Sequence, residues 1–567
     1  MKLPLCFFPM ALALCAQQLP VQPAFPGSNQ QQSTKPETKP EDLCTLDGQV
    51  TNNATGAPVG KTEITLMGTD RPKAGTMPGN YSAVSDPGGN FVISGIEPGR
   101  YRLSASRTGF VRLEYGARGP MRGGTLLSLS TGQRMKDLSL RLTPQAVITG
   151  KVVDENNDPV VSASVQAQRY SYIEGKKQLI PMGSAMTNDL GEYRLHGLAP
   201  GRYYLSAKPT DDEWESTVDA SATPEAEGYI ITYYPGTANS TMAVQLEVTS
   251  GAQLRGTNIT LAKGRTFRIR GHVEGRNDVQ ISLFPRGQTR YMSMGQDHSS
   301  DQKGNFEIRD VLPGAYTITA VAWADRSTLS ATQDVDVSDS NIDNLVLVLD
   351  AGLELQGRIV AEGTGTPNLD SVQVFLNPRD TNRVNYYGGG SGTVKDGVFK
   401  LPNTQPAQYD LQIWNLPDGY WLKSLRMGDQ EVKDAGMDLT HGPGAPITVT
   451  IAPNAGQIDG VVMNEQQQPA PGATVVLVPE PKLRDRRTAY KTATSDQNGR
   501  FNLKSLDPGE YKLFAWEDIE YGAYMDPDFL QPVEDRGQSI TIQEGSRESV
   551  QLTRIPGDAA PSGRRDK

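Results

Sequence analysis

Cysteine and histidine are nearly missing from this chain, with three and four residues in 567. So few thiol and imidazole groups leave little material for a zinc module or a disulfide framework. Beyond the first residues no stretch approaches the ~18 apolar residues that a membrane-spanning helix needs. An excess of positive charge is lacking too. Lys and Arg number 55 against 65 Asp and Glu, a net −10 spread along the sequence, which argues against nucleic acid as a partner because phosphates demand a concentrated positive field. Helical periodicity is also scarce: the longest run free of Gly and Pro, 315–351, is dominated by Thr, Val, Asp and Ser without a 3.6-residue apolar repeat, so helices should be minor.

Turn residues, by contrast, are abundant. The 58 glycines and 39 prolines are about one residue in six, above the usual ~12% and short of the ~25–30% that marks disorder. The N-terminus, MKLPLCFFPMALALCAQQ, places Lys2 before an apolar stretch and small residues near Ala13, Cys15 and Ala16. It reads as a secretory signal peptide over 1–16, too short to span a bilayer. The competing reading is a lipoprotein leader acylated at Cys15, against which Leu14 is large where a small residue is wanted. Cleavage would leave Cys44 as the lone cysteine, read as buried and inert. Residues 17–42, rich in Pro, Gln, Ser and Thr, form a semi-extended tether.

A single frame then recurs five times. SDPGGNFVISGIEPGRY at 85–101 is echoed by DLGEYRLHGLAPGRY at 189–203, DQKGNFEIRDVLPGAY at 301–316, KDGVFKLPNTQPAQY at 395–409 and SDQNGRFNLKSLDPGEY at 495–511. In each, an aromatic (Phe91, Tyr193, Phe306, Phe399, Phe501) stands seven residues before the proline, and a tyrosine stands three after it. Each copy opens with Gly-x-Val or Gly-x-Ile at Gly48, Gly150, Gly271, Gly357 and Gly460, spaced 102, 121, 86 and 103 residues apart. The unit is thus a domain rather than a solenoid turn. The expected division is 43–143, 144–264 with an acidic, aromatic insertion at 208–237, 265–351, 352–453, 454–556, and a disordered tail at 557–567.

Alternating Phe-x-Ile or Phe-x-Leu marks strands with one apolar face. Pro-Gly suits a type II turn, with a type I or distorted turn at Pro406-Ala407, where Gly is replaced. Many short strands between turn signals predict an all-β protein of five tandem antiparallel β-sandwich domains, Ig-like in layout. The joints at 143–145, 262–266, 350–352 and 452–456 are short, predicting an extended or gently curved string, on the order of 150 Å at ~3.3 Å per strand residue.

The frame D-x-x-G-x-F-x-L-x-x-L-x-P-G-x-Y-x-L-x-A, with Asp154 to Val160 ahead of its second copy, resembles the carboxypeptidase regulatory-like domain, most strongly in copies one, two and five. The resemblance implies a transthyretin-like, carbohydrate-binding-like sandwich in a bacterial secreted multi-repeat protein, and implies location more firmly than activity. The stretches at 233–248, 419–439 and 515–530 are similar to those of exported multi-repeat members. The related Cna B-type domains crosslink through an isopeptide bond promoted by a glutamate four residues after the motif tyrosine. Ala105, Ala207, Ala320, Ile413 and Ala515 hold those places here, so no crosslink is expected.

A peptidase zinc site would need His-x-x-Glu, which none of His196, His272, His298 and His441 provides. Asp301 stands three after His298 but is the turn aspartate of copy three, and Ser300 to Lys303 matches S-x-x-K on the same turn. Asp496 to Gly499 has the look of a calcium loop without its downstream glutamate. The sequence therefore predicts no catalytic residue, no cofactor and no metal. Candidate ligand-binding residues are the insertion aromatics Trp214, Tyr229, Tyr233 and Tyr234, with Tyr386, Tyr387, Tyr420 and Trp421, since rings on a rigid sandwich can stack on sugars. Trp323, Trp414 and Trp516 recur near equivalent strand ends and read as rim packing. The expected role is an exported, non-catalytic module that binds polysaccharide or another envelope component, with a structural or adhesion spacer contacting an envelope protein as the alternative.

Overall fold

The computed structural model describes residues 39–69, 79–119, 122–209, 226–286, 296–324, 327–380 and 390–557. The leader with Cys15, most of the tether and the tail from 558 lie outside the described residues. So do Trp214, Tyr386 and Tyr387.

The protein is all-β, and its sandwiches share one plan. The opening strands are Cys44–Asn52, Ala146–Val153, Lys263–Glu274, Leu353–Ala361 and Gly456–Met463. Each pairs antiparallel with the motif strand of its own unit and parallel with that unit's closing segment, Arg134–Leu142 in the first and Arg547–Thr553 in the fifth. The expected antiparallel sandwiches thus also carry a parallel pairing of the opening strand with the closing segment, which the second unit makes in two short pieces. The facing sheet of the fifth unit runs Lys491–Thr494, Thr474–Pro479, Gly509–Trp516, Gln538–Ile542, all antiparallel.

The repeated residues explain this plan. Each opening glycine lies directly opposite the motif aromatic: Gly48 and Phe91, Gly150 and Tyr193, Gly271 and Phe306, Gly357 and Phe399, Gly460 and Phe501. At Gly271, Gly357 and Gly460 the ring lies across the space where a side chain would stand, and at Gly48 and Gly150 that space is closed by the carbonyls of Leu138 and Thr257. A Cβ at Gly271 would fall 2.5 Å from the Phe306 ring and 2.3 Å from the carbonyl oxygen of Leu345 on the parallel strand. Glycine thus lets the ring cover the strand while its parallel neighbour approaches.

The invariant proline-to-tyrosine spacing has an equally local cause. Each motif tyrosine donates its hydroxyl proton to the carbonyl four residues upstream: Tyr101 to Glu97 (2.7 Å), Tyr203 to Ala199 (2.8 Å), Tyr316 to Leu312 (2.9 Å), Tyr409 to Gln405 (2.7 Å) and Tyr511 to Asp507 (3.0 Å). Burial raises the pKa of all five phenols, so they remain donors. The predicted type II turn is not formed. Gly99 and Gly201 sit at φ +159° and +153°, far from the ~+80° that turn needs. Left-handed backbone falls three residues before the proline instead, at Gly95, Gly197, Asp310, Asn403 and Ser505, beside a register shift in each pairing. Since no left-handed residue is required after the proline, Ala407 fits, and the fourth copy forms the same tyrosine bond as the others.

Buried apolar side chains gather into one cluster for each of the first four units and two for the fifth. Adjacent units share backbone. The strand Lys263–Glu274 runs through the expected joint, and Ala226–Tyr229 from the preceding insertion pairs with its first residues. Gln145 donates from its backbone and side chain to Gly109 (2.9 Å) and Phe110 (2.8 Å), and Ala455 donates to the Gly419 carbonyl at 2.9 Å.

The expected open string is overturned by contacts between units far apart in sequence. The fifth unit touches the first, the second and the fourth. Gln497 exchanges two hydrogen bonds with the backbone of Ser128 (2.9 and 2.7 Å), and Leu126 bridges Asp496 in parallel fashion. Arg118 pairs with Glu517 at 2.6 Å, and Arg122 with Asp518 at 3.1 Å. The hairpin Ala163–Ile173/Lys176–Met186 of the second unit reaches a helical insert of the fifth, where Tyr172 meets Phe529 edge-on at 5.8 Å and Glu174 pairs with Arg487. From the fourth unit, Asp434 pairs with Arg486 (2.6 Å) and Lys433 with Asp507 (2.9 Å). The chain therefore closes on itself, through the fifth unit's repeat turn at Asp496 and Gln497 together with non-repeated segments such as the insert carrying Glu517 and Phe529.

Candidate functional site

The closure encloses a cleft of about 670 Å³ between the first and fifth units. Arg100, Arg102 and Ser128 contribute from the first unit's five-stranded sheet. Across from them stand Thr474, Thr492 and Thr494 of the fifth unit's outer sheet and Asp459, Arg500 and Asn502 of its opening and motif strands. The carboxylates are engaged locally. Asp496 accepts the backbone N–H of Asn498 (2.8 Å) and Arg500 (2.9 Å), closing the motif turn. Asp459 accepts from Asn502 and Gln457 (both 2.6 Å). Arg102 is paired with Glu114 at 3.2 Å.

One side of the cleft is aromatic. Tyr521 is 75% exposed and leans edge-on against buried Tyr524, ring centres 6.0 Å apart at 87°. That geometry follows from the insert at 517–537. Gly522, at φ +87°, turns the chain into two 3-10 turns and a short helix, Pro527–Leu530, capped by Asp526. Beneath them Trp516 is fully buried and stacked on Phe514 at 5.0 Å, with Tyr490, Phe529 and Leu530 completing the cluster. Burial pushes Tyr490 up to about 12. The repeated frames supply Arg100, Asp496, Arg500 and Asn502, but nothing in them signals that a non-repeated insert and a unit 369 residues away at the Ser128–Gln497 contact would face them.

The sequence-predicted aromatics are scattered. Tyr229 is half-buried; it donates to Glu155 at 3.0 Å and carries Lys263 over its ring at 5.1 Å. Glu155 is held below the usual carboxylate range by its hydrogen bond from Lys263. Tyr233 pairs with Ser206 in the second unit's sheet, and burial raises its pKa. Tyr234 packs against that unit's core. Tyr420 packs against the fourth core, while Trp421 is 8% exposed, its ring under the Lys433 ammonium at 5.0 Å. Of the candidate aromatics Tyr420 and Trp421, the second presents little ring to a ligand, because alternation along the strand beginning at Trp421 turns it inward. Of the recurring tryptophans, Trp323 and Trp414 are about half exposed and only Trp516 is core.

The residues flagged for catalysis have structural work. Ser300 accepts the Val279 N–H at 2.9 Å, as Ser85, Thr187 and Ser495 do at matching places. Asp301 accepts the N–H groups of Lys303 and Asn305, both at 2.8 Å. No cluster of three or more His, Cys, Asp or Glu fit to hold a metal occurs among the described residues.

Comparison with known families follows the frame. The sequence model of the carboxypeptidase regulatory-like domain matches residues 45–134, 147–227 and 457–553. The matched stretches lie in the first, second and fifth units, which are thus similar to carboxypeptidase regulatory-like domains. Among curated proteins it is similar to serine-aspartate repeat-containing protein D of Staphylococcus aureus strain Newman, 25% identical over 151 residues, covering 23% of this chain and 11% of the relative; the strain MW2 protein matches alike, with 10% of its length covered. The chain thus spans about a tenth of the curated relatives it matches. Among solved structures it is similar to the Bacillus anthracis TIE protein (13% identity, TM-score 0.14, covering 74% of this chain and 76% of that one) and to the Streptococcus agalactiae minor pilin GBS52 (10%, 0.22, 39% and 96%). Among the described residues no helix is long and apolar enough to cross a membrane.

Proposed function

We propose that this protein is an exported, non-catalytic scaffold that presents a binding surface for carbohydrate or another component of the cell envelope. The carrying observation is the lock between distant domains: Ser128 to Gln497 and Arg118 to Glu517 hold the first and fifth domains in one arrangement. A scaffold that fixes two surfaces face to face suits binding, because a preformed cleft orders no loops when a ligand enters. The regular engagement of Ser300, Asp301 and Asp496 in turns and core supports the non-catalytic half. An N-terminus that reads as a secretory leader and the likeness to a repeat-containing protein support placement at the envelope.

Co-sedimentation of the purified protein with isolated cell envelopes tests this reading. Saturable binding, with no turnover of peptide, ester or glycoside substrates, is expected. Absence of envelope binding, or turnover abolished by a single substitution, would overturn it.

A further inference from the structure

We propose that the cleft between the first and fifth domains binds a neutral oligosaccharide, one sugar ring seated on Tyr521 and its hydroxyls met by Thr474, Thr492 and Thr494. This rests on the envelope-binding reading and names the ligand class and the site.

The fifth domain's outer sheet has a face that the insert covers only in part. Thr474 lies directly opposite Thr494 on one neighbouring strand and opposite Trp516 on the other, and Thr492, two residues from Thr494, shares that face. On the same face Val476, Phe514 and Trp516 are buried in the cluster beneath the insert. The three threonines stand beyond its edge, half-buried or exposed, and line the cleft. Among the described residues their hydroxyls hydrogen-bond to no protein group. Each can both donate and accept, as a polyhydroxylated chain requires.

Tyr521 borders the same cleft. At 75% it is the most exposed large apolar side chain among the described residues. Its edge-on contact with buried Tyr524, ring centres 6.0 Å apart, fixes the ring before any ligand arrives. The electron-rich face of such a ring attracts the C–H side of a pyranose. A cleft of about 670 Å³ lies within the ~300–1,000 Å³ of small-ligand sites.

The charges select an uncharged ligand. Arg100, Arg102 and Arg500 line the cleft, but they meet as many carboxylates: Asp459 and Asp496 in the lining, and Glu114, paired with Arg102 at 3.2 Å. An anionic chain would lie against those carboxylates and a cationic one against the guanidinium groups. A neutral chain meets neither penalty and still gains the ring and the hydroxyls.

Calorimetric titration of the full chain with cellotetraose, mannotetraose and tetra-N-acetylchitotetraose, and with tetragalacturonate as the charged comparison, tests the proposal. At least one neutral chain should bind about tenfold or more tighter than the uronate. Tyr521→Ala should weaken that binding by about tenfold or more and Thr492→Val by about fivefold, with Tyr521→Phe retaining it. Both side chains are exposed, so the fold tolerates their change. Saccharide binding untouched by these variants would overturn the site, and uronate binding as tight as the neutral chains would overturn the charge argument. Failure of all three neutral chains to bind would overturn the ligand class, and retained envelope co-sedimentation would then show that the broader reading stands without it. Envelope binding abolished by protease treatment of the envelopes, and indifferent to both variants, would overturn the proposal in favour of a protein partner.

Discussion

Gln497 grips the backbone of Ser128 with both ends of its amide, accepting the N–H at 2.9 Å and donating to the carbonyl at 2.7 Å. A side-chain amide that mimics a strand partner in this way joins the first and fifth domains edge to edge. The parallel bridge between Leu126 and Asp496 lies beside it, and Arg118 and Arg122 add charge pairs to the insert of the fifth domain. Exposed ion pairs contribute little by themselves. Here they accompany backbone pairing and the buried contact of Tyr172 with Phe529.

The glycine opposite each motif aromatic is sterically required. Gly271→Ala would drive a Cβ against both the Phe306 ring and the Leu345 carbonyl, so a loss of about 1–3 kcal/mol is expected. Chemical denaturation of the full chain, followed by amide exchange in Lys263–Glu274, checks this. Exchange equal to wild type would show that the parallel strand yields instead.

The tyrosine bond should be worth keeping in each domain. Tyr203 is fully buried, and Tyr203→Phe leaves the Ala199 carbonyl without this donor, at a cost of about 1–3 kcal/mol. Faster amide exchange across Gly201–Pro209, with other domains unchanged, is the predicted signature.

Acid should loosen the fifth domain's insert. Glu534 accepts from Arg484 at 2.8 and 3.2 Å and pairs with Lys512 at 3.0 Å, and the Arg484 hydrogen bonds hold its pKa below the usual carboxylate value. Because the folded value is the lower one, this contribution is complete above the ordinary carboxylate range and is lost as pH falls through the folded value. Trp516 fluorescence should report the change on acid titration, and Glu534→Gln should flatten that response.

The missing glutamates give a mass prediction. Ala105, Ala207, Ala320 and Ala515 are buried where a crosslink-promoting carboxyl would have to stand. Intact-mass measurement should return the full mass of the mature chain, and loss of one ammonia per domain would contradict it.

What could be read from the sequence was what repeats locally. The aromatic, the proline and the tyrosine lie within eleven residues of one another, and their spacing is set by one pairing and one i to i−4 hydrogen bond. The same locality misled the reading of Pro-Gly: the dipeptide favours a type II turn, but a bulge upstream already turns the chain, leaving Gly99 and Gly201 near-extended. The candidate site was less legible. Trp421 faces inward because of its place in the strand alternation, and Tyr521 gains its position only through an insert folded over Trp516. Closure was not legible at all, since Gln497 sits in a repeat turn and its partner is chosen by tertiary approach.

Closure is the central claim, and the distance between the first and fifth domains tests it most directly. Spin labels at exposed Ser130 and Asn498, introduced as Ser130→Cys and Asn498→Cys, flank the Gln497 contact, while native Cys44 is buried. Pulsed electron paramagnetic resonance should give one narrow, short distance in the full chain. A broad distribution reaching toward the ~150 Å span of an open string would contradict the account.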